Sequence, residues 1–181
     1  MVRRINIFGG CGVGKSTLAS QIYCNLKRKE INCELVTEYV KKWAYENKKP
    51  QGFDQLYVFA KQIHAEELYL KNNVDVIVTD CPVLLSYVYS KAYNLKYANE
   101  ILRLIDYFNK EYDSLNILLK RNVKYNPVGR FQNEEEAKEI DDLVFNSLKE
   151  NNYKFHVFYV DQQDEIMSLV DSVLYSRGSG G

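Results

Sequence analysis

Nine residues near the start of the chain, Gly9-Gly10-Cys11-Gly12-Val13-Gly14-Lys15-Ser16-Thr17, carry its most specific chemistry. Gly9, Gly14, Lys15 and Ser16 fit the pattern G-x-x-x-x-G-K-[ST] without a gap. In such a loop the backbone N–H groups turn inward and cradle the phosphates of a nucleotide. The candidate cradle is Gly10, Cys11, Gly12, Val13, Gly14, Lys15, Ser16 and Thr17. Lys15 would reach the β- and γ-phosphates, and the Ser16 hydroxyl is a natural ligand for Mg²⁺.

Phosphoryl transfer also needs charge neutralisation and an oriented nucleophile. Asp80 closes the apolar run 74–79, where an acid can hold magnesium through water or orient the nucleophile. It also suits the cap of a helix that starts beside Pro82. Glu38 follows another short apolar run and could take a proton from an acceptor hydroxyl. The general base is therefore Glu38 or Asp80. Arg130 lies in a glycine-containing loop, from which it could close over the transferring phosphate. Arg121 and Lys124 are neighbouring candidates for that work. On the acceptor side, the Gln62 amide could pair with a nucleobase edge, with Tyr39 and Arg121 as further contacts and His64 and Glu66 nearby.

These residues need a frame. Periodicity predicts strands at 3–8, 33–37, 74–79, 115–119 and 155–160. It predicts helices at 15–29, 38–47, 54–72, 83–93, 97–109, 134–151 and 164–175. Leu18, Ile22 and Leu26 mark the inward face of the first helix, and Leu56, Ala60, Ile63 and Leu70 that of the long one. Ala137, Ile140, Val144 and Leu148 do the same for the helix opened by Glu134-Glu135-Glu136, three acids that suit its dipole. Strands alternating with helices predict a mostly parallel sheet covered on both faces. Ligands on such sheets bind beyond the carboxyl ends of the strands. The glycine loop, Glu38, Asp80 and the loop 121–133 all fall at those ends.

Length and composition bound the rest. The 181 residues, 46% hydrophobic, suit one α/β domain. Lys+Arg and Asp+Glu both number 24, so no overall field draws the chain to nucleic acid, although a local basic groove would still serve. Cys11, Cys24, Cys33 and Cys81 lack metal-binding spacing and read as reduced, mostly packed thiols. No apolar run approaches the ~18 residues of a membrane span, and Met1-Val2-Arg3-Arg4 leads straight into a strand. The expectation is a soluble, cytoplasmic protein without a leader. Residues 176–181, Ser-Arg-Gly-Ser-Gly-Gly, read as a flexible tail outside the domain at 1–175.

Five segments together resemble the small P-loop kinases of the nicotinamide riboside kinase group and related phage-encoded nucleotide kinases. They are residues 9–17, Thr37-Glu38-Tyr39, Asp54-Gln55-Leu56-Tyr57, Thr79-Asp80-Cys81-Pro82, and Tyr125-Asn126-Pro127-Val128-Gly129-Arg130 with Glu134-Glu135-Glu136-Ala137. The resemblance implies a three-layer α/β/α fold whose five-stranded parallel sheet runs 2-3-1-4-5, with a LID segment at about 121–133 containing Arg130. It implies ATP as donor, Mg²⁺ as cofactor and a small nucleoside or nucleotide as acceptor. The oligomeric state stays open in the sequence, with a homodimer as one partner expectation. Deoxynucleoside kinases look similar in keeping a Glu after the second strand as base, which supports Glu38. Two other readings stay open: a kinase of hydroxymethylated pyrimidine within DNA, and an NTP-binding switch or NTPase without an acceptor.

Overall fold

The central strands are buried on both faces, so the sheet needs cover on both sides, and the helices between strands supply it. A computed structural model describes residues 2–46, 48, 50–122, 125–126 and 132–175. Its elements run β1 (Arg4–Phe8), α1 (Lys15–Arg28), β2 (Cys33–Val36), α2 (Lys41–Tyr45), α3 (Asp54–Lys71), β3 (Val76–Thr79), α4 (Leu84–Ala92), α5 (Ala98–Glu111), β4 (Ser114–Lys120), α6 (Glu134–Glu150), β5 (His156–Tyr159) and α7 (Gln163–Tyr175). The five strands form one sheet in the order β2-β3-β1-β4-β5, with every neighbouring pair parallel. That is the order and architecture the resemblance implies. Arg130, Lys124 and the tail at 176–181 lie outside the described residues.

Alternation along each strand divides the core into two layers. Ile5 and Ile7 of β1, Val76 and Val78 of β3, and Leu115, Ile117 and Leu119 of β4 pack with Leu18, Ile22 and Leu26 of α1 and Ile166 and Val170 of α7. The opposite faces, with Phe8, Ile77 and Leu118, pack against α3, α4, α5 and α6. Burying an aliphatic side chain of this size contributes about 1.5–3 kcal/mol, so the α1 stripe alone ties the phosphate loop firmly to the sheet.

The second layer also holds polar groups. Arg4 is 1% exposed: its Nη2 donates to Asn109 Oδ1 and to Tyr112 O, both at 2.7 Å, and its guanidinium lies 4.8 Å from the Phe108 ring centre. Glu66 of α3, fully buried, stands 3.7 Å from Arg4 Nη1. Burial pushes the Glu66 carboxyl up to about 7, against the pull of Arg4 in the other direction.

Two expectations about elements need correction. The predicted helix at 38–47 is shorter: Glu38, Tyr39 and Val40 precede α2 and carry the chain around from the end of β2. The inward face of α3 is also rotated. Gln55, Val58, Phe59, Gln62, Glu66 and Leu70 are buried, while Ala60 is exposed and Leu56 and Ile63 are only partly covered. A periodicity search assigns the inward stripe to apolar residues, whereas here three polar residues take part of it.

Candidate functional site

The phosphate loop leaves β1 and enters α1 through Gly14, whose φ of 104° lies in the left-handed region. A side chain there would be strained, and its Cβ would stand 2.7 Å from Val160 Cγ2. Helix α1 opens at Lys15 with no side-chain cap and no acid in its first turn. Its first N–H groups and the positive end of its dipole therefore face the loop, an arrangement that favours an anion. Lys15 Nζ bonds Gly10 O at 2.8 Å, which folds the ammonium back across the loop.

Asp80, at the end of β3 and 3% exposed, joins this loop to the neighbouring strand end. Its Oδ2 accepts from Ser16 Oγ at 2.5 Å, and its Oδ1 accepts from the Glu38 backbone N–H at 2.9 Å. Parallel pairing of β2 with β3, Val36 beside Thr79, sets those ends side by side. Residues 42 positions apart thus meet. The Ser16 hydroxyl and the Asp80 carboxylate are hard oxygen donors in contact, the ligand type Mg²⁺ accepts when it binds through one or two side chains and substrate phosphates. Among the described residues no group of three or more His, Cys, Asp or Glu could hold a metal by itself.

A cavity of about 220 Å³ opens beside the loop. Cys11, Gly12, Gly14, Lys15, Ser16 and Thr17 line one side, and Glu38, Val40, Lys41 and Ala44 line a second. Gln55 and Val58 of α3, with Cys81, Ser86, Tyr89, Tyr93, Asn126 and Gln132, complete the lining. Gln55 and Ser86 are 4% and 3% exposed, and neither side chain has a hydrogen-bond partner among the described residues. Buried polar groups are normally paired. Here an amide and a hydroxyl face a cavity where a ligand would complete them.

Several titratable groups on the wall are kept neutral. Burial raises the Tyr89 phenol well above its usual range, pushes Tyr93 up to about 12, and holds the Cys81 thiol well above the ordinary thiol value. None of the three is a base near neutral pH. The carboxylates of Glu38 and Asp80 are the remaining candidates on this side of the site.

Lys15, Ser16 and Glu38 line one cavity, and Asp80 bonds both Ser16 and the Glu38 peptide; the acceptor-side candidates are placed differently. Gln62 is 1% exposed, and its Nε2 lies 3.4 Å from Thr79 Oγ1 beneath the cavity floor rather than in its lining. Gln55, two helical turns earlier, is the α3 amide in the lining. Tyr39 is outside the lining too: its hydroxyl donates to Tyr57 OH at 3.0 Å, and its ring packs edge-on against Trp43 and Tyr57. Arg121 turns toward the phosphate loop: Nη2 donates to Cys11 O at 2.8 Å and Nε to Asp141 Oδ2 at 2.7 Å. Asp141, on α6, is a residue the sequence reading missed. All four cysteines are free, but only Cys33 and Cys81 are buried. Cys11 is not simply packed, since its thiol sits 3.2 Å from Tyr89 OH and 3.0 Å from Gln132 Oε1. Among the described residues no helix is long and apolar enough to cross a membrane.

Comparison with solved structures finds the same fold elsewhere. NadR protein in complex with NR superposes with a TM-score of 0.71 at 16% identity, over 94% of this chain and 49% of NadR. The chain thus spans about half the length of that protein. Deoxyadenosine kinase from M. mycoides with bound dATP gives 0.62 at 20% identity, over 94% of this chain and all of the kinase. A cysteine-to-alanine mutant of the Mycobacterium tuberculosis APS kinase CysC gives 0.51 at 13% identity, over 96% of each chain. At these identities the likeness is one of fold, the three-layer P-loop kinase fold. No curated protein matches by sequence. A family model described as "AAA domain" matches residues 4–164, and the chain belongs to that family.

Proposed function

We propose that the chain is an ATP-dependent kinase that moves the γ-phosphoryl group to a hydroxyl or phosphate of a nucleoside or nucleotide. The observation that carries this reading is the pair of hydrogen bonds that Asp80 accepts. By holding Ser16 and the Glu38 peptide at once, it makes the phosphate loop and the Glu38 carboxylate face one cavity. A binding switch has no need of a lining with an amide and a hydroxyl that lack partners among the described residues; an acceptor does. The fold shared with deoxyadenosine kinase, with APS kinase and with NadR bound to NR supports the same reading.

The residues then divide the work. The loop N–H groups and Lys15 hold the donor phosphates. Ser16 and Asp80 would hold Mg²⁺, which neutralises charge on the phosphate oxygens when bound. Glu38, which lines the cavity beside the loop, is taken as the base that accepts the acceptor proton, while Asp80 serves the metal. Gln55 and Ser86 fix the polar edge of the acceptor, while Val58, Tyr89 and Tyr93 supply its apolar cover. Residues 1–175 are read as one kinase domain, in which 121–133 forms the LID and Arg130 closes over the transfer.

The test is a panel of nucleosides, nucleotides and modified DNA incubated with γ-labelled ATP and Mg²⁺. One acceptor class should become labelled, and Glu38→Gln should lower its kcat by about 100-fold or more. Phosphate release with no labelled acceptor would overturn the reading in favour of a simple NTPase. The DNA arm has its own motivation: Lys41, Lys42, Lys48 and Lys61 lie in the same stretch as the exposed rings of Tyr45, Phe53 and Tyr57. Labelling confined to DNA, with steep salt dependence, would move the acceptor into a polynucleotide.

A further inference from the structure

The phosphate loop is gripped from outside by a carboxylate with no part in the transfer chemistry. Asp141 Oδ1 accepts from the Gly10 N–H at 2.7 Å, and Oδ2 accepts from Arg121 Nε at 2.7 Å. Arg121 Nη2 donates to Cys11 O at 2.8 Å, which closes a ring of hydrogen bonds through two consecutive loop residues. The ring joins three elements: the phosphate loop, the end of β4 and the middle of α6. Arg121 and Asp141 are only 12% and 22% exposed, so water competes weakly for these bonds.

The glycine at position 10 is an independent sign of the same contact. The loop pattern allows any residue there. In this chain a Cβ on Gly10 would stand 2.3 Å from Asp141 Oδ1 and 2.8 Å from Ala137 O. Helix α6 comes so close that only glycine fits. Gly10 is also the residue whose carbonyl accepts from Lys15 Nζ at 2.8 Å. A bare carboxylate at this spot would oppose a triphosphate; paired with Arg121, it positions the loop without presenting a net negative charge.

We infer that Asp141, acting with Arg121, is a positioning residue for the phosphate donor. It presets Gly10 and Cys11, and through Gly10 the Lys15 ammonium, so that donor binding need not order the loop. The inference rests on the proposed function only in that the loop binds a nucleoside triphosphate.

The experiment is calorimetric titration of the full chain with ATP and Mg²⁺, which needs no acceptor. Asp141→Ala should weaken donor binding about 10- to 100-fold, the equivalent of one charge-assisted hydrogen bond. Asp141→Asn keeps an oxygen for the Gly10 N–H but loses the ion pair, and should fall between. Once an acceptor is in hand, KM for ATP should rise while kcat and the acceptor KM stay within about threefold. An Asp141→Ala protein with wild-type circular dichroism and ATP affinity within about twofold of wild type would overturn the inference. If that variant does not fold, Asp141→Asn decides: a lowered Tm with unchanged ATP affinity shows a purely structural aspartate and overturns it. A wild-type chain that binds no ATP would sink the functional reading together with this inference, whereas equal binding by wild type and variant sinks this one alone.

Discussion

The N-termini of α1 and α6 show how one protein treats the same physical problem in two ways. Each helix begins with N–H groups that lack an intrahelical partner and with the positive end of a dipole. At α6 the chain meets that demand itself. Asn133 Oδ1 accepts from the Glu136 N–H at 2.9 Å, and Glu136 Oε2 accepts from the Asn133 N–H at 2.8 Å. Glu134, Glu135 and Glu136 fill the first turn with negative charge. At α1 none of this is present: a left-handed glycine stands at the cap, and Lys15, Ser16 and Thr17 follow. The self-sufficient terminus is architecture. The open one is left for an anion that the chain does not supply.

The sharpest way to test the contrast is to remove the cation that accompanies the open terminus. Lys15→Ala deletes the ammonium that bridges back to Gly10 O. Phosphotransfer to the labelled acceptor should fall about 100- to 1,000-fold in kcat/KM, the scale of losing a principal stabilising donor for transferring charge. Helix α1 should persist, since its packing rests on Leu18, Ile22 and Leu26. Unchanged transfer would mean that the open terminus does not handle the donor.

That contrast was partly visible in the sequence. The phosphate loop is a local motif read from nine adjacent residues, and the acidic start of α6 also lies within one turn. Strand order followed from the resemblance, and the positions of Glu38 and Asp80 at strand ends followed from the βα alternation. What escaped was long-range and polar. Asp141 lies 131 residues from Gly10 and beside an apolar stripe, where an aspartate reads as solvated surface. The burial of Gln55, Gln62 and Glu66 is not legible in the sequence, because a polar residue on an inward face inverts the pattern from which that face is inferred. Gln62 is paired with Thr79, while Gln55 is left facing the cavity. Only the third dimension separates those two amides. Position 10 held a clue, since a glycine at a free position of the motif signals close approach by another element.

A smaller change would make α1 resemble α6. Thr17 is exposed, lines the cavity and sits in the first turn of α1. Thr17→Glu would add the acid that this terminus lacks. Interaction with the dipole should raise stability by about 0.3–1 kcal/mol, read as a higher denaturant midpoint at constant m. The same carboxylate would repel the donor phosphates, and ATP affinity should drop about tenfold at low salt, less as salt is raised. Stability and binding moving in opposite directions is the signature of a terminus kept open for a ligand. A variant that gained stability and kept its ATP affinity would show that the phosphates do not lie at this end of α1.

The smallest effect belongs to the closed terminus, and its value lies in what should not change. Asn133→Ala removes the side-chain half of the capping box, leaving the Glu136 N–H without its acceptor. The cost should be about 1 kcal/mol, a fall in Tm of roughly 2–4 °C for a chain of this size. Among the described residues the Asn133 side chain bonds only within its own turn, while α6 meets the phosphate loop through Asp141 and Ala137 further along the helix. ATP affinity should therefore stay at its wild-type value while the melting temperature falls. If donor affinity fell as well, the start of α6 would belong to the phosphate site, and the division between an architectural and a ligand-binding terminus would have to be abandoned.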